Sequence, residues 1–413
     1  RSGRAADHSA GRTRTASSGV VSDDMSDAGF DRSMSDAEGL MWRLEKDPYL
    51  TSTFGSITIL DRPPDFDAFR RRMNRASKLI PGLRQRVMSS PANLTPPIWV
   101  DDPDFSIDRH VRRIACPKPG KLRQVMDLAT LLVADPFDRN RPLWQFTVIE
   151  GMRGGKAAIV QKMHHTITDG ERGVELSLQY LDFDRDAPEP PPVAEAERID
   201  LPGDPHDSDP LRNFVAGGLR LPLSVVKQVR DLLTDPASIP DASSAAAGTL
   251  RGIAHQLSDT EQARSPLWTE RSLERHLEVV RAPFRETKDA ARRLGGTLNT
   301  AFLTAAAHAA ADYHHRVGVP AESLRASMAI STRTESSGAN AFSLARIIVP
   351  TTPMPISERF VLVGEAVDDA RASSARGGLD ALATLTAALP TSMLTRMARQ
   401  QSETVDFATS NVR

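Results

Sequence analysis

The chain has 413 residues, of which 40% are hydrophobic and 25% are charged, and its formal net charge is −1 with a pI near 6.9. This length allows two domains with sizeable cores, and the balanced charge argues against nucleic acid as the main partner, because phosphate binding requires a basic excess. Cys116 is the single cysteine, so a disulfide framework is excluded and a reducing compartment fits.

The N-terminal residues and the hydropathy of the sequence indicate where in the cell the protein is expected. The sequence contains no run of about 18 apolar residues and no apolar signal core, so neither a transmembrane helix nor a secretion signal is predicted. We expect a cytoplasmic protein, and peripheral contact with the inner membrane face or lipid inclusions stays open. Residues 1–33 are rich in Arg, Ser, Asp and Gly and are predicted to be disordered. The chain begins at Arg1, and Met25 or Met34 is the more natural start.

The first half of the chain alternates strand and helix patterns. Ser35 and Glu38 form a capping-box pattern ahead of an apolar stripe, which predicts a helix start. Gly154 and Gly155 separate two alternating segments and predict a hairpin. The predicted strands are Thr53–Leu60, 86–88, 98–100, 110–114, Trp144–Glu150 and Ala157–His164, and the predicted helices are Phe66–Leu79 and 122–132. This alternation indicates a mixed α/β (α+β) fold with mixed sheets and flanking helices.

A proline-rich stretch divides the chain. Seven of the 24 residues from 187 to 210 are proline, which predicts an extended linker and a domain boundary. Residues 211–219 and 223–233 carry the pattern of basic amphipathic helices. These helices are expected either to pack as an ordinary pair or to dock on a lipid surface. We therefore predict an N-terminal lobe at 34–186, a linker and helical connection at 187–264, and a C-terminal lobe at 265–413.

The second half repeats the alternation of strands and helices. The predicted strands are 277–282, 326–330, 346–349 and 405–408, and the predicted helices are 285–294, 301–311, 359–373 and 393–401. The helix at 301–311 is rich in alanine, and small residues allow close packing of helices.

The strongest chemical signal is residues 164–170, which read His-His-Thr-Ile-Thr-Asp-Gly. Because side chains alternate across a strand, His164 and His165 are expected on opposite faces. Neutral imidazole at a strand end suits a general base near physiological pH. Neighbours on opposite faces cannot hold one ion together, so no metal site is predicted. Asp169 is a candidate cap of the helix that Gly170 opens, a role compatible with one in catalysis.

Residues 164–170 resemble the HHxxxDG signature of CoA-dependent acyltransferases and peptide-synthetase condensation domains. Residues 138–144, Asp-Arg-Asn-Arg-Pro-Leu-Trp, resemble the DRxRPLW segment ahead of this signature in the wax ester synthase/diacylglycerol acyltransferase family. The resemblance continues to the end of the chain. It implies a two-lobed CoA-dependent acyltransferase or condensation-domain-like fold. It also implies acyl transfer from acyl-CoA, the co-substrate, to diacylglycerol or a long-chain alcohol, without a further cofactor.

The resemblance also implies roles for individual residues. His165 is the expected general base and His164 the structural neighbour on the opposite strand face. Asp169 is expected to hold the loop, with Arg333 as one conceivable partner.

Three further residues are candidates for oxyanion contact or positioning: Asn299, Gly170 and Trp144. Asn299 is either a donor to the tetrahedral oxyanion or the cap of the helix at 301–311. Trp144 is expected to pack in the core or to position its neighbours, because buried aromatic side chains mostly pack.

Two departures from the family pattern keep other functions open. The family's Asn-Asp is Asn299-Thr300 here, and the chain stops within what resembles the family's Ser-Asn-Val-Pro-Gly segment, so a truncated C-terminal lobe is expected. One alternative is a condensation-type transferase that uses a carrier-protein thioester. Another is a catalytically impaired homologue that binds lipid droplets or membranes.

Overall fold

The computed structural model of the protein describes residues 33–89, 97–167, 177–182, 263–331, 342–374 and 390–411, together with residues 184, 187, 188, 190 and 191. Two mixed sheets, one in each half of the chain, organise these residues.

The first sheet carries the histidine motif at the end of a central strand. It comprises β1 (Thr53–Leu60), β4 (Val111–Ala115), β5 (Trp144–Glu150) and β6 (Ala157–His164), in the order β1-β6-β5-β4. β6 pairs antiparallel with β1 and β5, whereas β4 pairs parallel with β5. Gly154 and Gly155 have φ angles of 78° and 70° and lie in the connection between β5 and β6, as the hairpin pattern predicts. The strands β2 (Gln85–Met88) and β3 (Ile98–Asp101) form a separate antiparallel pair.

Four helices lie among the described residues of this half. They are α1 (Asp36–Leu44), α2 (Phe66–Leu79), α3 (Ile107–His110) and α4 (Leu122–Ala134). The predicted capping box of α1 is confirmed: the hydroxyl of Ser35 accepts from the Glu38 N–H, and the Glu38 carboxylate accepts from the Ser35 N–H. This reciprocal pair satisfies two backbone donors that no helical carbonyl can reach.

β6 separates two apolar clusters, because its side chains alternate between the faces of the sheet. Ile159 and Met163 lie in the cluster that α2 covers. Ala158 and Val160 lie in the cluster that α4 covers. The strand is buried along most of its length on both faces, so its position is fixed by packing from two sides.

The second sheet has the order β8-β7-β9. Its strands are β7 (Ser323–Ser331), β8 (Phe342–Pro350) and β9 (Phe407–Thr409). The helices described in this half are α5 (Phe284–Arg293), α6 (Leu298–Arg316), α7 (Ile356–Ser374) and α8 (Thr391–Glu403). β7 pairs antiparallel with β8 and parallel with β9. Leu303 and Ala307 of α6 and Val363 of α7 share one buried cluster with this sheet. None of the described helices combines the length and apolar character that spanning a membrane requires.

The mixed sheets with flanking helices confirm the predicted fold class. One predicted strand is wrong: residues 277–282 carry no regular secondary structure, and Leu277 and Val279 are 38% and 49% exposed. Apolar alternation at these positions favoured a strand, but a strand also needs a hydrogen-bonded neighbour, and no described strand pairs with this segment.

Several predictions fall outside the described residues. These are the disorder of residues 1–32 and the amphipathic helices at 211–219 and 223–233. Ser33, the last residue of the predicted disordered extension, is described and forms an isolated bridge with Ile98. The division of the chain at 186/187 and 264/265 stays a prediction.

The cap of α6 allows a direct stability test. Thr297 accepts from the Thr300 N–H at 3.2 Å, and the two hydroxyl oxygens lie 3.0 Å apart. We expect Thr297→Ala to lower the free energy of unfolding by about 1 kcal/mol, because an N-terminal backbone donor loses its acceptor. Urea unfolding followed by circular dichroism measures this change. Thr297→Ser keeps the hydroxyl and is the matched control, so an equal loss in both variants would contradict the capping role.

Candidate active site

His164, at the end of β6, has protein atoms close to both ring nitrogens. Its Nδ1 accepts from the Thr166 N–H at 3.2 Å and lies 2.8 Å from the Thr166 hydroxyl oxygen. Because Nδ1 accepts a backbone N–H, the neutral ring carries its proton on Nε2. That nitrogen lies 3.3 Å from Oε2 of Glu45. With 1% of its surface exposed, His164 is buried, and its Nε2 is at ion-pair distance from Glu45 without the alignment of a hydrogen bond.

Glu45 directly follows α1 and is the acceptor at the centre of this cluster. Its carboxylate accepts from the Ser52 N–H at 2.5 Å and from the Thr51 and Thr53 hydroxyls at 2.8 Å and 3.3 Å. Burial raises the pKa of Glu45, but the nearby His164 ring and the hydrogen bonds from Ser52 and Thr51 outweigh burial and lower the pKa to about 2. The carboxylate is therefore ionised at neutral pH.

His165 lies on the other side of the strand. Its ring stacks at a tilt on Phe54, with ring centroids 4.6 Å apart, and its backbone N–H donates to the Ser52 carbonyl at 3.0 Å. Phe54 packs against the core cluster of Met163, whereas His164 lies beside Trp42 and Glu45. The two imidazoles thus face opposite sides, as the alternation of the strand predicts.

The segment 138–144 meets the histidines in space. The guanidinium of Arg139 lies 3.5 Å from the centre of the Trp42 ring and donates to the Trp42 carbonyl. The Leu143 carbonyl accepts from the His164 N–H at 3.0 Å. The two sequence motifs therefore form one structural unit, and Trp42, whose ring lies edge-on to His164, joins them.

Trp144 is a core residue. It is 1% exposed, its Nε1 donates to the Leu83 carbonyl at 2.8 Å, and its ring stacks on His110 with centroids 4.5 Å apart. Since Trp144 pairs with Met163 across the sheet, it supports the strand that ends in the histidines. This placement favours packing over a direct role in chemistry.

Lys162 is a second buried ionisable residue on the His164 face of β6. It is 4% exposed, its Nζ donates to the Asp135 carbonyl, and the same nitrogen lies 4.3 Å from the centre of the Phe137 ring. Burial lowers the pKa of Lys162. The lysine thus holds the segment that follows α4 against the sheet.

A cavity of about 290 Å³ opens on the His164 face. Its walls combine aromatic and aliphatic side chains with a few polar ones, and they come from α1, the segment after α4 and residues 273–275. Of the described residues, those lining it include His164 and Glu45 but not His165. Residues 168–176, which follow the motif, lie outside the described residues. An opening that brings the substrates to His165 therefore stays a prediction.

Asn299 lies in the first turn of α6 but does not cap it, so that alternative is wrong. The cap is Thr297, since Thr297 is the residue that accepts from the third backbone N–H. The Asn299 amide nitrogen lies 3.4 Å from the Met328 sulphur on β7. Thr300, which stands where the family has an acidic residue, completes the capping box with its hydroxyl. Asp169, Gly170 and Arg333 fall outside the described residues, and their roles stay predictions.

Glu45 and Trp42 are the site residues that sequence reasoning missed. The local signal was an acidic residue at the end of a short helix, which is a common surface pattern. Only the pairing of Thr53 with His164 brings the segment after Glu45 beside the motif. An alternation pattern carries no information on which strand lies beside which.

Comparison with known proteins identifies the family. The model of the wax ester synthase/diacylglycerol acyltransferase catalytic domain matches residues 34–302. A Mycobacterium tuberculosis H37Rv protein with a provisional diacylglycerol O-acyltransferase name is 32% identical over 383 residues, covering 90% of this chain and 77% of that protein. The chain belongs to the wax ester synthase/diacylglycerol acyltransferase family. Membership confirms the resemblance read from the two motifs and the predicted enzyme class, an acyltransferase.

Solved structures agree with the family at the level of the fold. The wax ester synthase/diacylglycerol acyltransferase from Marinobacter aquaeolei VT8 aligns over 92% of this chain and 81% of its own, with a TM-score of 0.59 and 18% identity. The first condensation domain of the calcium-dependent antibiotic synthetase, with a substrate analogue, aligns over the same shares with a TM-score of 0.55 and 15% identity. These likenesses confirm that this chain has the predicted condensation-domain-like fold.

The lowered pKa of Glu45 predicts an acid-dependent loss of stability. A carboxyl group with a folded pKa near 2 and an ordinary value of 4.5 contributes stability above pH 4.5 and loses it as the pH falls towards 2. We expect Glu45→Gln to lower the free energy of unfolding on the order of 3 kcal/mol at neutral pH. The difference from the unchanged protein should shrink between about pH 5 and pH 3.

Urea unfolding at a series of pH values measures this difference. Glu403→Gln is the matched control, because Glu403 lies on the exposed face of α8 with a side chain that is 60% exposed. A difference for Glu45→Gln that is the same at every pH would contradict the ionised, stabilising carboxylate.

Proposed function

We propose that the protein transfers the acyl group of acyl-CoA to the hydroxyl of diacylglycerol or of a long-chain alcohol, with His165 as general base. The products are triacylglycerol or a wax ester, together with free CoA. The observation that carries the base assignment is the placement of His164, whose Nδ1 accepts from the Thr166 N–H and whose Nε2 lies 3.3 Å from the Glu45 carboxylate. Of the two imidazoles in the signature, this leaves the role to His165.

The proposed step balances without an enzyme-bound intermediate. The ring of His165 takes the hydroxyl proton as the hydroxyl oxygen attacks the thioester carbonyl. The tetrahedral intermediate collapses with cleavage of the carbon–sulphur bond, and the departing thiolate takes the proton back from the imidazolium. Acyl-CoA is the co-substrate, and this route calls for no further cofactor or metal.

Asn299 is the proposed donor to the oxyanion of the tetrahedral intermediate. Its position in the first turn of α6 supports this role, because the N-terminal end of a helix favours negative charge. The neighbouring Thr300 does not count against the proposal, because its hydroxyl closes the helix cap. A neutral residue at that position thus has a structural role of its own.

The base assignment predicts unequal effects of the two histidines. We expect His165→Ala to lower kcat by roughly 10²- to 10⁴-fold with little change in thermal stability, since a positioned base contributes on that scale. His164→Ala should lose stability first, because Glu45 and the Thr166 N–H lose a buried partner. Radiolabelled acyl-CoA with hexadecanol or diacylglycerol measures turnover, and a thermal melt measures stability.

The exposed His308 on α6 offers a control, and His308→Ala should match the unchanged protein. Undiminished turnover in His165→Ala would exclude this residue as the base. Acyl transfer that requires an acyl-carrier protein instead of acyl-CoA would point to the condensation-type reaction. Lipid binding without any turnover would point to an impaired homologue.

The acceptors of this reaction are lipids, so we further propose peripheral contact with a membrane or lipid-droplet surface. The basic amphipathic pattern of residues 211–233 supports this contact. We expect removal of residues 211–235 to lower co-flotation with liposomes that contain acidic lipid. Deletion of residues 1–32, which contain five arginines and five aspartates, is the control. Undiminished flotation after the first deletion would end the membrane role of this segment.

A further inference from the structure

The Glu45 carboxylate contacts the segment that carries both histidines. It reaches His164 directly, with 3.3 Å between Oε2 and the ring Nε2. It reaches His165 through one residue: the Ser52 N–H donates to Glu45 at 2.5 Å, and the Ser52 carbonyl accepts from the His165 N–H at 3.0 Å. One half-buried carboxylate thus contacts the ring of one histidine and, through Ser52, the backbone of the next.

The same carboxylate closes the turn that leads into β1. The hydroxyls of Thr51 and Thr53 donate to Oε1 of Glu45, so three consecutive residues converge on this one side chain. A carboxylate accepts at both oxygens at once, whereas the amide of glutamine accepts at one and donates at the other. An isosteric amide keeps one acceptor, so either the Ser52 N–H faces an N–H group or the Thr51 and Thr53 hydroxyls must turn from donors to acceptors.

The residues after Glu45 are held by α8 of the second sheet. Asp47 lies 3.5 Å from the guanidinium of Arg399, and the same guanidinium lies 3.7 Å from the centre of the Tyr49 ring. Asp47 also caps the short 3-10 turn Pro48–Leu50 by accepting from the Tyr49 N–H. One arginine thus contacts two residues of the link between Glu45 and β1.

Two further contacts bring the second half of the chain to the same place. Nε of Arg43 donates to the Thr391 hydroxyl at the start of α8. The Tyr49 hydroxyl donates to the Arg271 carbonyl, and the Arg271 guanidinium donates to the Ser402 and Val405 carbonyls. The segment that carries Glu45 therefore packs between the histidine strand and α8.

We infer that Glu45 is a positioning residue for His165, and that Arg399 of α8 holds the 47–49 turn so that the carboxylate keeps its place. The inference rests on the proposed function of His165 as base. Glu45 acts through Ser52 and His164 and touches no reacting atom. Docking of the C-terminal helix is thereby coupled to the geometry of the base, and a displacement of about 1 Å there is enough to slow a reaction strongly.

The test separates positioning from simple stability. All variants are assayed with acyl-CoA and hexadecanol at a temperature at which thermal melts show them folded. We expect Glu45→Gln to lower kcat by about tenfold or more, with both KM values within about twofold. Glu45→Asp should recover part of the loss, since it restores a charge that accepts at both oxygens. Should Glu45→Gln fail to fold, Thr51→Val removes one donor and keeps the side-chain shape, and a smaller loss of kcat is expected.

Arg399→Ala tests the coupling to α8. We expect a loss of roughly three- to tenfold in kcat, because the ion pair and the ring contact are both partly exposed. The Glu45→Gln/Arg399→Ala double variant should be no slower than Glu45→Gln alone, since both changes disturb one path. Arg396→Ala is the matched control, an exposed arginine on the same helix that should be unaffected.

The outcomes distinguish this inference from the proposed function. Unchanged kcat in Glu45→Gln or in Thr51→Val overturns the positioning role of Glu45 even where His165→Ala abolishes turnover. Losses that multiply in the double variant overturn the coupling through Arg399. If His165→Ala remains active, the base assignment fails, and kcat losses at Glu45 then belong to another residue of the motif.

Discussion

The pairing of β1 with β6 is the constraint on which the site depends. It sets Thr53 opposite His164, so that residues 51–53 run beside the histidines at the edge of the sheet. The Glu45 carboxylate then meets three hydrogen-bond donors from that segment and the ring of His164. A buried carboxylate is stable only when such partners offset the loss of water. The strand register therefore allows Glu45 to be both half-buried and ionised.

The alternation of β6 divides the two histidines between different surroundings. His164 faces Trp42, Glu45 and the cavity, with Nδ1 bonded to Thr166 and Nε2 at 3.3 Å from Glu45. His165 stacks on Phe54 on the other side. Because side chains alternate between the two faces of a strand, the adjacent residues His164 and His165 have different surroundings and different roles. The structural histidine is as firmly bound to its surroundings as a core residue, although it belongs to the signature motif.

Much of the fold follows from local pattern. The capping box at Ser35, the hairpin at Gly154-Gly155 and the strand Ala157–His164 each rest on residues close in sequence, and each is observed. The prediction of a strand at 277–282 was wrong because a strand depends on a partner that local pattern does not specify. The alternation of this segment is present, but none of the described strands pairs with it. A strand depends on a second segment, whereas a helix start depends on residues within one turn.

The sequence by itself determined the chemistry-bearing motif, the opposite facing of His164 and His165, and the family. These are properties of residue type and spacing within short segments. The tertiary structure alone decided that Glu45 joins both histidines, that Trp42 and Arg139 link the two motifs, and that Thr297 rather than Asn299 caps α6. Such contacts join residues far apart in the chain or depend on the exact start of a helix. The periodicity of the sequence specifies neither the long-range contacts nor the exact start of a helix. Many arrangements of the same helices and strands share one pattern of polar and apolar residues.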